Sequence, residues 1–244
     1  MRVLFLITAR GGSKGVPGKN LRKIGGISLV GFKAISARKS RHCSRLIIST
    51  DSPEIQDDAR SHGVEVPFTR PAELASDTAK SGPVIQHAME WIEQEGRECY
   101  DAVMLLEPSS PFARAEDYDA AVDLMLRHDA NAVVGVRAME VASTVVGPLD
   151  AEGRLTAIVD KMHGARALTG QRQTLGQEVT MNGALYLFRW DYFKRHQWIY
   201  QDREGVYGHV MDRFHSVEID EPVDLAWAEF LAQCGHVPLG PWRD

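Results

Sequence analysis

The reading of the whole chain turns on Val3–Thr8 (VLFLIT) followed immediately by Ala9–Asn20 (ARGGSKGVPGKN). The first stretch is a short unbroken apolar run, the pattern of a strand buried on both faces. The second carries four glycines and three cations, Arg10, Lys14 and Lys19. Glycines let the backbone turn sharply and bring its N–H groups close to a ligand, and the cations can neutralise one. A triphosphate needs both, so the segment suits a nucleotide; its composition alone also fits a solvated surface loop. Two familiar phosphate-binding templates do not match. The Walker pattern fails because Ser13 stands where its first glycine should be and Asn20 follows the lysine. The dinucleotide fingerprint fails because Ser13 takes the second glycine position.

Outward from this point, strand-like and helix-like stretches alternate. A helical stretch runs through Leu29, Phe32, Ile35 and Ser36, and Arg45–Ser49 is a second strand. Ser52 caps a helix with Pro53 in its first turn, and Gly63 stops it. Val64–Phe68 reads as a third strand, about Pro83–Glu95 as a helix and Ala102–Leu106 as a fourth strand. A further helix at about Asp117–His128 precedes the strand Ala132–Val136. This rhythm predicts an α/β fold, a doubly wound and mostly parallel sheet, within a single domain over residues 1–244. Such sheets bind ligands beyond the carboxyl ends of their strands, where Ala9–Lys19, Asp51 and Glu107–Pro111 all fall.

After residue 137 the rhythm breaks. Residues 138–181 hold short β-like pieces and a polar stretch, Lys161–Thr180, with little apolar periodicity; a long irregular segment in a compact domain is usually functional or docked on something. The sheet is expected to resume with Gly183–Phe188 and to close with a strand at Ser216–Asp220, before a helix from about Pro222 to Cys234. On a strand, Glu218 and Asp220 would share a face with Cβ atoms about 6–7 Å apart, Ile219 pointing inward. That pair either holds a hard divalent cation or forms a solvated strand face. Asp224 reads as serving the first turn of the helix. Asp51 either faces the nucleotide or caps its own turn.

A net charge of −5 repels polyanions, so nucleic acid is not an expected partner and any phosphate must meet a local cluster. Cys43, Cys99 and Cys234 show no C-x-x-C spacing and read as free thiols in a reducing compartment. No apolar run approaches the ~20 residues of a membrane span, and Arg10 and its glycines end the first run too early for a secretory leader. A cytoplasmic location is the expectation. None of the histidines pairs with a nucleophile or forms H-x-x-x-H.

Ala9–Asn20 closely resembles the signature loop of the acylneuraminate cytidylyltransferases, the CMP-sialic acid synthetase family. The resemblance extends in order through Phe68–Ala79 (FTRPAELASDTA), Pro108–Pro111 (PSSP), Asn182–Tyr186 (NGALY) and Ser216–Asp220 (SVEID). It implies a nucleotide-diphosphosugar-transferase-like fold working as a homodimer, with residues 138–181 as a small dimerisation subdomain. It also implies CTP as co-substrate and magnesium as cofactor, with CMP passing to the anomeric hydroxyl of a nine-carbon acidic sugar. Arg10, Lys19 and Asp220 would be catalytic. Ala9, Gly11, Gly12, Ser13, Lys14, Asn20, Asp51, Arg70 and Ala79 would line the nucleotide, Arg70 and the backbone near Ala79 facing the base. Asp220 and Glu218 would hold the metal, Glu218 standing where the family usually has aspartate. The sugar would meet Glu107, Ser109, Ser110, Arg172, Gln173 and Asn182. Departures cluster on that side: Glu107 for glutamine, Ala113 before Arg114, Gln171 for the first arginine of an Arg-Arg-Gln element, and Thr180-Met181 for Arg-Pro. A carboxylate at 107 accepts hydrogen bonds but cannot donate them, so the acceptor could differ from ordinary N-acetylneuraminate. Legionaminate, pseudaminate and ketodeoxyoctonate are the alternatives. Sugar-1-phosphate nucleotidyltransfer and a catalytically silent nucleotide-binding regulator are further ones.

Overall fold

The VLFLIT run forms β1 (Val3–Thr8), and Val3 to Ile7 are wholly buried, as an apolar strand with helices on both faces must be. A computed structural model describes residues 1–95, 97–168 and 178–243. After the glycine loop come a two-residue-per-strand hairpin, β2 (Lys23–Ile24) and β3 (Ile27–Ser28), and then α1 (Leu29–Lys39). Ser28 caps α1, its hydroxyl accepting from Gly31 N. β4 (Cys43–Ser49) leads to α2 (Pro53–Ser61), capped by Ser52 as expected. Next are α3 (Ser81–Gln94), β5 (Ala102–Leu106), α4 (Ala115–His128), β6 (Ala132–Ala138) and α5 (Thr156–Leu168). The chain continues through β7 (Val179–Arg189), α6 (Trp190–His196), β8 (Val206–Met211) and α7 (Pro222–Gln233).

The large sheet has the order β4-β1-β5-β7-β6-β8. β7 pairs antiparallel with both β5 and β6, and the remaining pairs are parallel, so β7 alone runs backward. On one face Phe5 and Ile7 pack with α1, α2 and α4; on the other Leu4 and Leu6 pack with α3 and α6. The doubly wound, mostly parallel α/β fold is therefore present. A third apolar cluster unites Val16, Phe32, Phe112, Ile219, Leu231 and Trp242. Each large side chain fully removed from water there contributes about 1.5–3 kcal/mol. This cluster fastens the glycine loop to the C-terminal segment.

Two expected strands are corrected. Val64–Phe68 makes only one bridge, Glu65 against Ile47; Pro67 has no N–H to continue the ladder. Ser216–Asp220 joins no sheet: Ser216 ends a turn, and Val206–Met211, not foreseen as a strand, takes the edge beside β6. The in–out alternation survives: Val217 and Ile219 are buried, Glu218 and Asp220 exposed. The polar stretch after Lys161 begins as helix, within α5. No helix among the described residues is long and apolar enough to cross a membrane.

Candidate active site

The glycine loop takes its shape from its own polar atoms. Ala9 N donates to Ser49 O at 3.1 Å, and the chain then turns away from the sheet. Gly11 N donates to Asp51 Oδ1 at 2.9 Å, and the buried Asn20 ties the loop's end to its start, Nδ2 donating to Arg10 O at 2.9 Å. Gly18 supplies a left-handed turn (φ 63°) ahead of Lys19. Gly15 lies so close to the C-terminal segment that a Cβ there would stand 2.1 Å from Asp220 O. Asp51 thus braces the glycine loop through its carboxylate.

Lys19 closes the site. Its Nζ donates to Ile219 O at 2.7 Å and to Asp220 Oδ1 at 3.2 Å, joining segments some two hundred residues apart. Ile219 N in turn donates to Ser109 O at 2.7 Å, which brings in the loop after β5. These three segments wall a cleft of about 420 Å³ beyond the carboxyl ends of β1 and β5. Ala9, Arg10, Ser13, Lys14, Lys19 and Asn20 line it from the glycine loop; Arg70 and Ala79 line it from the connection to α3; Glu107, Ser109, Glu218 and Asp220 complete it.

Arg10 and Lys14 do not stand free. Both grip Asp77, at 2.6 and 2.5 Å. Hydrogen bonds from Lys14 and then Arg10 hold the Asp77 carboxyl below its usual range. Nothing in the sequence marked Asp77 apart from its place in the Phe68–Ala79 block. Arg70 is almost wholly buried, Nε on Ser49 Oγ at 3.0 Å and a second nitrogen on Ser49 O at 2.5 Å. Burial chiefly, with Arg10 nearby, lowers its pKa to about 10 against the pull of Asp51, so it remains a cation at neutral pH.

On the far side, Ser110 Oγ donates to Asn182 O at 3.0 Å, and Asn182 Nδ2 donates to Ser216 Oγ at 2.9 Å. Ser110 and Asn182 are buried and frame the wall. Burial raises the Glu107 carboxyl, as does Glu218; Lys33 and Lys19 oppose the rise. Glu218 is raised by burial and then by Asp220. Asp224 accepts from Asp220 N at 3.0 Å and Glu221 N at 2.8 Å, serving the first turn of α7 as read from the sequence. Gly11, Gly12, Ser110 and Asn182 shape the loop or wall behind the lining. Arg172 and Gln173 lie outside the described residues.

Among the described residues no group of three or more His, Cys, Asp or Glu side chains gathers as a ready-made metal cage. The donors at the cleft nevertheless fit magnesium, which is commonly bound by one or two carboxylates plus substrate phosphates. Glu218 and Asp220 both line the cleft, close enough that the Asp220 carboxylate disfavours ionisation of Glu218.

This fold and cleft define a nucleotidyl-transfer enzyme, and comparison narrows the class. A profile of the family described as "Cytidylyltransferase" matches residues 4–233, and the chain belongs to that family. Among its relatives, the CMP-N,N'-diacetyllegionaminic acid synthase of Campylobacter jejuni is 30% identical over 94% of each chain. The N-acylneuraminate cytidylyltransferase of Escherichia coli is 28% identical over 95% of this chain and 52% of its own. In fold, the chain is similar to a CMP:2-keto-3-deoxy-manno-octonic acid synthetase solved with CTP. The TM-score is 0.70 at 14% identity, covering 96% of this chain and 100% of that one.

Proposed function

We propose that the chain transfers CMP from CTP to the anomeric hydroxyl of a nonulosonic acid, a sialic-acid-like nine-carbon acidic sugar, with release of pyrophosphate. The observation that carries this reading is the meeting of Lys19 with Asp220 in one cleft: a cationic glycine loop on one side, an acidic segment on the other. The acceptor hydroxyl attacks the α-phosphorus in line. A bond forms from that oxygen to phosphorus as its proton passes to solvent, the bond to the bridging oxygen breaks, and the pair of electrons leaves with pyrophosphate. Lys19, Arg10 and Lys14 take up the leaving charge, while the backbone N–H groups of the loop orient the phosphates. Arg70 and the backbone near Ala79 face the base.

Glu218 and Asp220 would hold magnesium, which when bound would neutralise phosphate oxygens and acidify the attacking hydroxyl. The rest of the catalysis is positioning. Glu107 and Ser109 receive the sugar, Ser110 and Asn182 shape the wall behind them, and Arg172 and Gln173 are assigned to the sugar by the same resemblance. Glu107 accepts but does not donate when ionised, which favours an acceptor presenting N–H or O–H groups there. The nonulosonate class draws further support from the relatives' names. We also assign residues 138–181 to a homodimer contact, because Val141, Leu149, Leu155, Val159 and Met162 are exposed along that stretch. The unpaired cysteines agree with a cytoplasmic site of action.

The test is pyrophosphate release over a grid of four nucleoside triphosphates against N-acetylneuraminate, legionaminate, pseudaminate, ketodeoxyoctonate and an aldose 1-phosphate, with and without magnesium. Turnover is expected with CTP and a nine-carbon acid only when magnesium is present. Turnover with an aldose 1-phosphate instead, or CTP binding with no release for any sugar, rejects the reading.

A further inference from the structure

Between Leu29 and Ala37, α1 is apolar or small throughout except for Lys33, and Lys33 is wholly buried. An ammonium removed from water without close ion pairing is costly, and such a group persists only where the surroundings use it. Lys33 Nζ donates to Ala184 O at 2.8 Å and lies 5.9 Å from the centre of the Tyr118 ring. The carboxylates that face it are Glu107, just past β5, and Asp117 of α4; no acid among the described residues forms an ion pair with it. Burial lowers its pKa to about 7 in spite of both.

The carbonyl it holds belongs to an unusual turn within β7. Gly183 is left-handed (φ 66°), and the pairing of β6 with β7 slips between Val134 and Val136, opposite this point. Asn182 stitches the turn, its Oδ1 accepting from Ala184 N at 3.1 Å. The turn's upper surface presses on the acceptor wall: a Cβ at Gly183 would lie 2.9 Å from Glu218 Oε1 and 3.0 Å from Ser110 Oγ. Ser110 clasps it from above through Asn182 O, and Lys33 from below through Ala184 O.

We propose that Lys33 is a positioning residue: from inside the core it holds the Asn182–Gly183–Ala184 turn against Ser110 and Glu218, setting the acceptor half of the cleft and leaving the nucleotide half untouched. This rests on the functional reading above, which gives the wall shaped by Ser110 and Asn182 to the sugar and Glu218 at its edge to the metal.

The experiment is steady-state kinetics on Lys33→Met, Gly183→Ala and the double variant, with CTP and acceptor varied separately. Lys33→Met should raise the acceptor KM about tenfold and leave the CTP KM within about twofold. Gly183→Ala should do the same. The double variant should be no worse than the worse single, because both changes release the same turn. Equal shifts in both KM values, or effects that multiply, overturn the proposal. Should Lys33→Met not fold, Ser110→Ala removes the other clasp and must give the acceptor-only shift; if it does not, the proposal fails. A wild-type chain that turns over none of the sugars defeats the functional reading and this proposal together. A wild-type chain that does turn over, beside variants shifting both KM values alike, defeats only the proposal.

Discussion

In the half of the cleft proposed for the triphosphate, most groups come from one twelve-residue stretch at the end of β1, the central strand of the three-stranded parallel block. In the half proposed for the acceptor, Glu107, Ser110 and Asn182, with Glu218 at its edge, arrive from three separate segments, gathered around β7, the strand that runs backward. The first half is held by backbone hydrogen bonds and surface-accessible ion pairs. The second rests on buried polar groups, among them a lysine in the core. The contrast teaches that phosphate recognition can be a local property of the chain, whereas the acceptor wall is a property of the whole fold.

The comparison breaks most severely at the contact between the halves. Lys19→Ala and Asp220→Ala should each lower pyrophosphate release by about 10³-fold, on the scale of losing one preorganised charge-stabilising group. As the two touch, the double variant should lose little more than either single one. Gly15→Ala comes next. Its Cβ would meet the Asp220 backbone at 2.1 Å, so loop and acidic segment must part. A fall in kcat of roughly 10²-fold with about 1–3 kcal/mol of lost stability is expected from kinetics and denaturation, in line with the cost of overpacking.

Glu107→Gln sharpens the distinction. The acceptor preference measured on the sugar panel should change by about tenfold in kcat/KM while the CTP KM holds. A change confined to CTP would reverse the assignment of the two halves. Stability against pH gives a smaller signal. Lys33 binds its proton with a pKa of about 7 when folded, against 10.5 for an unperturbed lysine. Between those values the unfolded chain holds more protons, so the penalty of burying the charge, full below pH 7, is relieved as pH rises. The midpoint of thermal unfolding should therefore climb between pH 7 and 9 in the wild type and climb less in Lys33→Met. The smallest effect is expected at Asp77→Asn, which releases Arg10 and Lys14 to the ligand: a decrease of about two- to threefold in the CTP KM, lessening as added salt screens these exposed charges.

How far the chain could be read without coordinates follows the same division. The loop, the capped helix after Ser52 and the apolar strand β1 declared themselves because their signals are local. Val64–Phe68 misled because its composition is strand-like, yet Pro67 interrupts the ladder. At Ser216–Asp220 the facing of side chains was legible and the partner was not: alternation is written in the residues, whereas Ile219 finds Ser109 only through the tertiary fold. β8 passed unnoticed, its middle weakened by Gly208 and His209. Lys33 did leave a mark, a lone charge in an apolar helical run, but only the turn at Gly183 explains it.

The bond from Lys19 to Ile219 has a bearing on how the molecule comes into being. A nascent chain still lacking its final quarter holds the whole glycine loop but neither the carbonyl nor the carboxylate that seats Lys19. Closure of the cleft thus waits on the last part of the chain to be made, and a product truncated before residue 219 would lack its acidic wall.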